Sequence, residues 1–294
     1  MSSNYFKNKN IIISGASRGI GLFLSEHFSN KGANLILLSR KSNQTKIALD
    51  KILKKKTNSN QNINFFFVDI SKKKDVDNFF NTISKKKIRI HFLINCAGIY
   101  GPIGKFENLN WNEFKKTIDI NLLGSIYFIK KLIPIFKKNN FGKIIQLSGG
   151  GATAPFPNFM PYSISKVGLV RFIENISEEL EDYKIYVNTI APGAVNTRML
   201  SQVLKAGPRN VGKKFYNKSN KQKKHGGADL NKIADCVDFL LNKSGNGISG
   251  KLISVIWDNW KLFNNNIKNL KRSDVGTLRR ITGRDRRLRF FDND

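Results

Sequence analysis

The sequence predicts a single α/β domain: a doubly wound parallel sheet of seven strands with helices on both faces. Three observations carry that expectation. Seven short runs are apolar throughout rather than alternating, as strands buried on both faces of a parallel sheet are. Longer stretches with helical patterning separate them, so strands and helices alternate along the chain. A glycine cluster marks the point where the first run turns into the first helix.

The runs, in order, are "IIIS" (11–14), "NLILLS" (34–39), "INFFFV" (63–68), "HFLIN" (91–95), "KIIQLS" (143–148), "IYVNTI" (185–190) and "KLISVI" (251–256). Helical patterns such as "WNEFKKTIDINLLGSIYFIKKLIPIF" and "SKVGLVRFIENISEELE" lie between them. The domain is expected to span residues 1–257. Two segments break the rhythm. Residues 194–227 form a connection too long for an ordinary loop, either a lid over a substrate or a disordered basic insertion. Residues 258–294 form a basic extension containing "TLRRITGRDRRLRF". There Arg279 and Arg280 would clamp a phosphate or carboxylate at a site mouth, or the extension would pack on a neighbouring subunit or be disordered.

The chain of 294 residues carries 51 Lys plus Arg against 21 Asp plus Glu, a net charge of +30. Such a charge suits a polyanionic partner. The basic residues are spread along the chain, however, and no basic helix interleaves with base-stacking aromatics. A solvated surface is expected, and nucleic acid is not an expected partner. Two cysteines, Cys96 and Cys236, suggest no disulfide framework. His27, His91 and His225 lack ligand spacing, so no metal is expected. The N-terminus "MSSNYFKNKNIIIS" lacks the apolar stretch of a signal peptide, and no run approaches the roughly 20 apolar residues of a membrane span. A cytoplasmic protein without a membrane partner is the expectation.

Chemistry enters at "SGASRGIG", residues 14–21. Gly15, Gly19 and Gly21 let the backbone turn tightly and let a phosphate approach the main chain, with Ser17, Arg18 and Ile20 in the same turn. The helix that follows offers free N–H groups and a positive dipole end, which is the physics of a dinucleotide site. Enzymes using NAD place a carboxylate on the ribose 2′-OH after the second strand. Here that strand ends "LLSRK", with Arg40 close to the carboxylate's place. Arg18 and Arg40 together suit a ribose 2′-phosphate, so NADP(H) is the expected cofactor.

Further stretches extend this pattern. "VDIS" (68–71) carries Asp69, "NCAG" (95–98) carries Asn95, Ala97 and Gly98, and "DINLLG" carries Asn121. "YSISK" (162–166) carries Tyr162 and Lys166, and "APGAVNT" (191–197) carries Pro192, Gly193, Val195 and Thr197. In this order they resemble the motifs of the short-chain dehydrogenase/reductase family, over about residues 8 to 257. The resemblance implies a Rossmann-like catalytic domain that moves a hydride between C4 of a nicotinamide and a carbonyl or alcohol carbon. Asp69, Asn95, Ala97, Gly98, Pro192, Gly193, Val195 and Thr197, together with the residues of the glycine turn and Arg40, would bind the cofactor, and Lys166 would do so through the nicotinamide ribose. Tyr162 would be the proton donor. A free tyrosine titrates near pH 10, and Lys166, four residues on along the same helix face, would lower that value. Ser148 would orient the substrate oxygen, and Asn121 would hold a relay water. A homodimer or homotetramer paired through the helices of Asn121 and Tyr162 is also implied. "LSGGGAT", "GKLISVIWDNW" and "TLRRI" resemble a subgroup found in polysaccharide or surface-sugar pathways.

Two positions depart from the family pattern. Cys96 replaces the second Asn of N-N-A-G. The family's serine usually stands 13 residues before the tyrosine, which here is Gly149; Ser148 stands one position earlier. Either the loop carries an extra residue and Ser148 serves, or the role is filled otherwise. The segment 194–227 and the loop "GIYGPIGKFENLN" carry Lys, Gly and aromatic residues. A polar or anionic small-molecule substrate is therefore expected: a sugar, a nucleotide-sugar or a ketoacyl thioester. Two other classes stay open on the same fold, a nucleic-acid-binding protein and a catalytically silent cofactor-binding regulator.

Overall fold

The computed structural model describes residues 5–288. Seven strands form one parallel sheet: β1 (Asn10–Ser14), β2 (Asn34–Ser39), β3 (Ile63–Phe67), β4 (Phe92–Asn95), β5 (Gly142–Leu147), β6 (Ile185–Ala191) and β7 (Leu252–Ser254). Each lies within two residues of its expected run. Their spatial order is β3-β2-β1-β4-β5-β6-β7. The order reverses between β1 and β4, and in such sheets ligands bind where the carboxyl ends of the strands part.

The uniform hydrophobicity of the strands has a two-sided cause. Ile11 and Ile13 face the layer containing α1 (Gly19–Asn30), α2 (Asn43–Leu53) and α9 (Leu230–Leu241), while Ile12 faces the layer of α3 (Lys73–Lys85), α5 (Gly124–Asn139) and α6 (Met160–Glu179). A polar ladder crosses the sheet near its carboxyl edge. The Ser14 hydroxyl donates to Asn95 Oδ1, and Asn95 Nδ2 donates to Gln146 Oε1 at 2.8 Å. Ser14 Oγ in turn accepts from the N–H groups of Cys96 and Ala97, at 3.1 Å each, which turns the chain as it leaves β4.

The connection 194–227 is ordered and helical, not a disordered insertion. It forms α7 (Arg198–Val211), broken at Gly207 ahead of Pro208, and α8 (Lys213–His225). Val203, Val211 and Phe215 point inward and join Tyr100, Phe156, Phe159 and Tyr162 in a third apolar cluster. Phe156 and Phe159 stack at 4.3 Å, with Phe215 edge-on to both. The lysines of α8 are solvent-exposed, while Phe215, Tyr216 and Ser219 form its more buried face.

The C-terminal extension is also built into the molecule. Trp260 is buried against Phe239, and its indole N–H donates to Val255 O at 3.2 Å. The chain then rounds the free edge of the sheet. Leu252 N donates to Gly276 O at 2.7 Å, and Lys251 Nζ donates to Ser273 O at 2.9 Å. On the far side Leu278 N donates to Glu174 Oε1 at 2.7 Å, while Arg171 pairs with Glu174 at 2.8 Å and reaches Leu278 O. The extension is thus a strap that joins the two helical layers and covers an edge strand whose open groups would otherwise invite pairing. Arg279 pairs with Asp285 and Asp274 of the strap itself, so its charge is already matched within the extension. Residues 289–294 lie outside the described residues.

Glu174→Ala would leave the Leu278 N–H without its acceptor and remove the carboxylate that pairs with Arg171. The expected cost is about 1–3 kcal/mol, read in denaturant unfolding, together with faster tryptic nicking after Arg279 and Arg280 under native conditions.

Candidate active site

The glycine turn between β1 and α1 is set by close backbone approach. Gly15 has φ +67°, and a Cβ there would lie 3.0 Å from Ala97 Cα; a Cβ on Gly21 would lie 2.4 Å from Gly15 O. The α1 N-cap residue is Arg18, in extended conformation. No side chain caps it, and no acidic residue occupies the first turn. The first N–H groups of α1 are therefore left to a ligand.

That helix end opens on a cavity of about 540 Å³. Gly15, Ser17, Arg18, Gly19, Ile20 and Gly21 form its floor. Arg40 and Lys41 stand at the end of β2, and Asp69, Ala97 and Gly98 complete the opposite wall. Asp69 accepts from Ser71 N and Ser71 Oγ at 3.1 and 2.7 Å, which turns the chain there. Arg198 lines the same cavity. Partial burial lowers the Arg18 pKa, and the charges of Arg198 and Arg40 lower it further.

A second cavity, about 880 Å³, lies over the carboxyl ends of β5, β6 and β7. Ser148, Gly149, Tyr162, Lys166, Pro192, Gly193 and Val195 line it, and α7 and α8 roof it through Leu200, Val203 and Phe215. Ile20, Cys96, Gly98, Thr197 and Met199 line both cavities, so the two form one continuous cleft.

Tyr162 and Lys166 sit one turn apart on α6, as their spacing predicts. Lys166 Nζ lies 5.6 Å from the Tyr162 ring centroid and donates to Leu147 O at 2.9 Å. Burial brings Lys166 down to about 8, with Cys96 opposing. The Tyr162 hydroxyl departs from expectation. Its pKa is raised, first by burial and then by the neighbouring Tyr100, whose ring centroid is 4.7 Å away. Under the α7–α8 roof, desolvation of tyrosinate outweighs the nearby cation. Cys96 is held as a thiol, with burial pushing it up to about 12.

Asn121 lies in a π-helical turn, Asp119–Leu123, between α4 (Trp111–Ile118) and α5. It is fully buried. Its amide donates to Ile99 O at 2.8 Å and Ser165 Oγ at 3.0 Å, and its Oδ1 accepts from Ile99 N at 2.8 Å. Both side-chain donors are spent on the protein, and Asn121 is not among the residues that line the cleft. Asn95 requires a similar correction. It is 1% exposed, held between Ser14 and Gln146, and lies beneath the cleft rather than on its wall.

The one-residue slip of the serine has a structural counterpart. A Cβ at position 149 would lie 2.0 Å from Tyr162 Oη, so the 13-residue spacing has no room for a side chain. The Ser148 hydroxyl, one position earlier, lines the cleft, is buried, and has no hydrogen-bond partner among the described residues. An orphaned hydroxyl beside a buried lysine and tyrosine, continuous with a cation-walled cavity at a free helix end, fits a nicotinamide dinucleotide and a polar substrate atom. Sequence reasoning missed Tyr100 and Arg198. Arg198 directly follows Thr197, and its position next to that expected site residue was the available signal. Tyr100 meets Tyr162 only through the fold.

Comparison with known proteins agrees with this layout. Residues 9–207 match the short chain dehydrogenase family. Over 199 residues the chain is 29% identical to mouse 3-ketodihydrosphingosine reductase, covering 67% of this chain and 60% of that one. Over 254 residues it is 26% identical to levodione reductase of Leifsonia aquatica, covering 85% and 93%. The crystal structure of levodione reductase superposes with a TM-score of 0.76 at 23% identity, over 85% of this chain and 96% of that one. At that identity the superposition speaks for the fold.

Gly149→Ala is expected to push against Tyr162 and cost about 1–3 kcal/mol, read as a lower thermal midpoint. Gly150→Ala, whose added carbon meets nothing nearer than 3.5 Å, is expected to stay within about 0.5 kcal/mol.

Proposed function

The chain belongs to the short chain dehydrogenase family, and from that premise we propose that it is an NADP(H)-dependent reductase of a carbonyl substrate. The observation that carries this reading is the convergence of Ser148 Oγ, Tyr162 and Lys166 on one wall of a cleft that continues into the arginine-lined cavity at the α1 N-terminus.

The nicotinamide supplies the hydride when bound; the protein's own residues handle the oxygen. Ser148 Oγ donates a hydrogen bond to the substrate carbonyl and polarises it. Tyr162 gives its proton to that oxygen as the carbon gains the hydride, so a ketone becomes an alcohol. A raised tyrosine pKa keeps that proton in place until the alkoxide develops, which favours the direction of reduction. Lys166, charged below about 8, stabilises the tyrosinate left behind. Asn121 holds the Ile99 backbone against Ser165 and so fixes the bearing of α6. Gly15, Ser17, Gly19, Ile20 and Gly21 receive the pyrophosphate, Asp69 the adenine end, and Ala97, Gly98 and Pro192–Thr197 the nicotinamide half. Arg18 and Arg40 favour NADP(H) over NAD(H).

Among the substrate classes weighed, the cleft favours a ketoacyl thioester or another ketone with an apolar body over a sugar. Tyr100, Phe156, Phe215, Leu200 and Val203 give an apolar wall, with Lys218 and Gln222 as polar contacts beside it. The relatives' names, 3-ketodihydrosphingosine reductase and levodione reductase, are those of carbonyl reductases and lend no support to a surface-sugar context. Trp111 of α4, Leu123 of the π-helical turn, and Ile164 and Val167 of α6 are exposed apolar residues, and they support a homo-oligomer paired through these helices. Two unpaired cysteines suit a cytoplasmic place of work. Among the described residues no helix is long and apolar enough to cross a membrane.

Tyr162→Phe is expected to lower NADPH-dependent reduction of a ketone panel by about 10²-fold or more, with NADPH binding retained; full activity would overturn the assignment. The reduction rate should fall as pH rises through about 8, because Lys166 is charged below that value and loses its proton above it. Lys166→Arg stays charged and should move the fall upward in a pH–rate profile.

A further inference from the structure

The face of the molecule opposite the cleft is basic by arrangement. All the strands run parallel, so each begins at the same edge of the sheet, and the segments that feed them share one face. From β3 across to β5 those segments are residues 54–62, 31–33, 5–9, 85–91 and 137–141. They carry the triplets Lys54–Lys56 and Lys85–Lys87, together with Lys7, Lys9, Lys31, Arg89, Lys137 and Lys138, and they contain no Asp or Glu. The turn before β6 breaks the run with Glu181 and Asp182. A chain merely rich in lysine would scatter acids among these segments; this one keeps them beyond β5.

The segments form one surface. A Cβ on Gly32 would lie 3.4 Å from Thr57 Oγ1 and 3.7 Å from Lys7 Cα. Asn10 Nδ2 donates to Arg89 O at 2.6 Å, and Lys143 N donates to His91 O at 3.2 Å, which joins the start of β5 to its neighbours. Strands about 4.8 Å apart make this face about 20 Å wide. Among the described residues, Lys31 alone of these cations has an acid partner, Asp238 at 3.4 Å. The local field is positive: burial, then the charges of Lys9 and Arg89, bring His91 down to about 4. Helix capping does not account for the whole set. Its effect falls off within the last turn, whereas Lys55, Lys56, Lys87 and Arg89 stand past the C-caps of α2 and α3.

We propose that this face docks on an anionic lipid bilayer, with the cleft turned away into solution. Lysines are compact point charges on flexible stems, and they suit mobile headgroups that offer no fixed register. Leu53, 40% exposed beside Lys54, adds an apolar contact. A nucleic acid would call for guanidinium forks and stacking rings. Here Arg89 is the one guanidinium, Phe6 is buried, and Phe141 packs on Phe92. Such attachment lies on the membrane and needs no spanning helix. It is independent of the cofactor and substrate readings.

The test uses the full chain and vesicles of phosphatidylcholine with or without phosphatidylserine, read by co-sedimentation at about 0.1 M salt. One variant combines Lys54→Gln, Lys55→Gln, Lys56→Gln, Lys85→Gln, Lys86→Gln and Lys87→Gln. A control removes the same charge from the opposite side through Lys205→Gln, Lys213→Gln, Lys214→Gln, Lys221→Gln, Lys223→Gln and Lys224→Gln. The wild type should bind only the phosphatidylserine vesicles. The first variant should bind them at least about tenfold more weakly and the control by less than about threefold. In the wild type, those vesicles should slow acetylation of Lys54–Lys56 and Lys85–Lys87 by about threefold or more and leave the α8 lysines unchanged; this readout needs no variant. A wild type that ignores phosphatidylserine, an equal loss in both variants, or equal protection of both lysine sets would overturn the proposal. So would a duplex DNA bound at least about tenfold more weakly by the first variant than by the control while vesicle binding falls equally in both, an outcome that would assign the face to nucleic acid.

Discussion

The site depends on one buried amide. Asn121 sits where a π-helical turn swings its side chain inward, and there it binds both backbone groups of Ile99 and the hydroxyl of Ser165. Ile99 follows the segment that leaves β4, and Ser165 stands between Tyr162 and Lys166 on α6. The amide therefore sets the distance between the sheet's carboxyl edge and the helix that carries Tyr162 and Lys166. The tightness is visible at Gly98, where a Cβ would lie 3.3 Å from Asn121 Oδ1 and 3.6 Å from Lys166 Nζ. A π-bulge costs helix regularity, and such bulges recur at functional sites.

Around that fixed point, burial sets the electrostatics. The roof of α7 and α8 removes water from Tyr162, which keeps it protonated, and from Lys166, which brings it within reach of neutrality. In the adjoining cavity the opposite strategy operates. Arginines, which stay charged, are crowded around a cavity whose one lining acid, Asp69, is held by Ser71. The strap over β7 is a separate device: it matches its own arginine with its own aspartates and closes the sheet's edge.

Much of this was legible in the sequence. All seven strands were, because a strand buried on both faces leaves an unbroken apolar run. The glycine turn was legible because only glycine tolerates backbone atoms so near its Cα. Tyr162 and Lys166 were legible as a helical i, i+4 pair in ordered company. Asn95 was misplaced because its spacing is also that of a buried ladder residue, and no sequence pattern separates a wall from a strut. Residues 194–227 read equally as lid or insertion, since Lys-rich helices resemble Lys-rich coil until their inner aromatics find partners. The direction of the Tyr162 shift was not legible at all. It depends on Tyr100 and on a roof 40 residues downstream, both brought there by the fold.

The most direct measurement of the central claim is a crystal structure with NADP(H) bound. The account predicts the nicotinamide ring seated between Gly98 and the Ser148–Tyr162 wall, with its ribose on Lys166 and the adenosine 2′-phosphate against Arg18 and Arg40. A dinucleotide bound elsewhere, or one whose 2′-phosphate points away from both arginines into solvent, would contradict it.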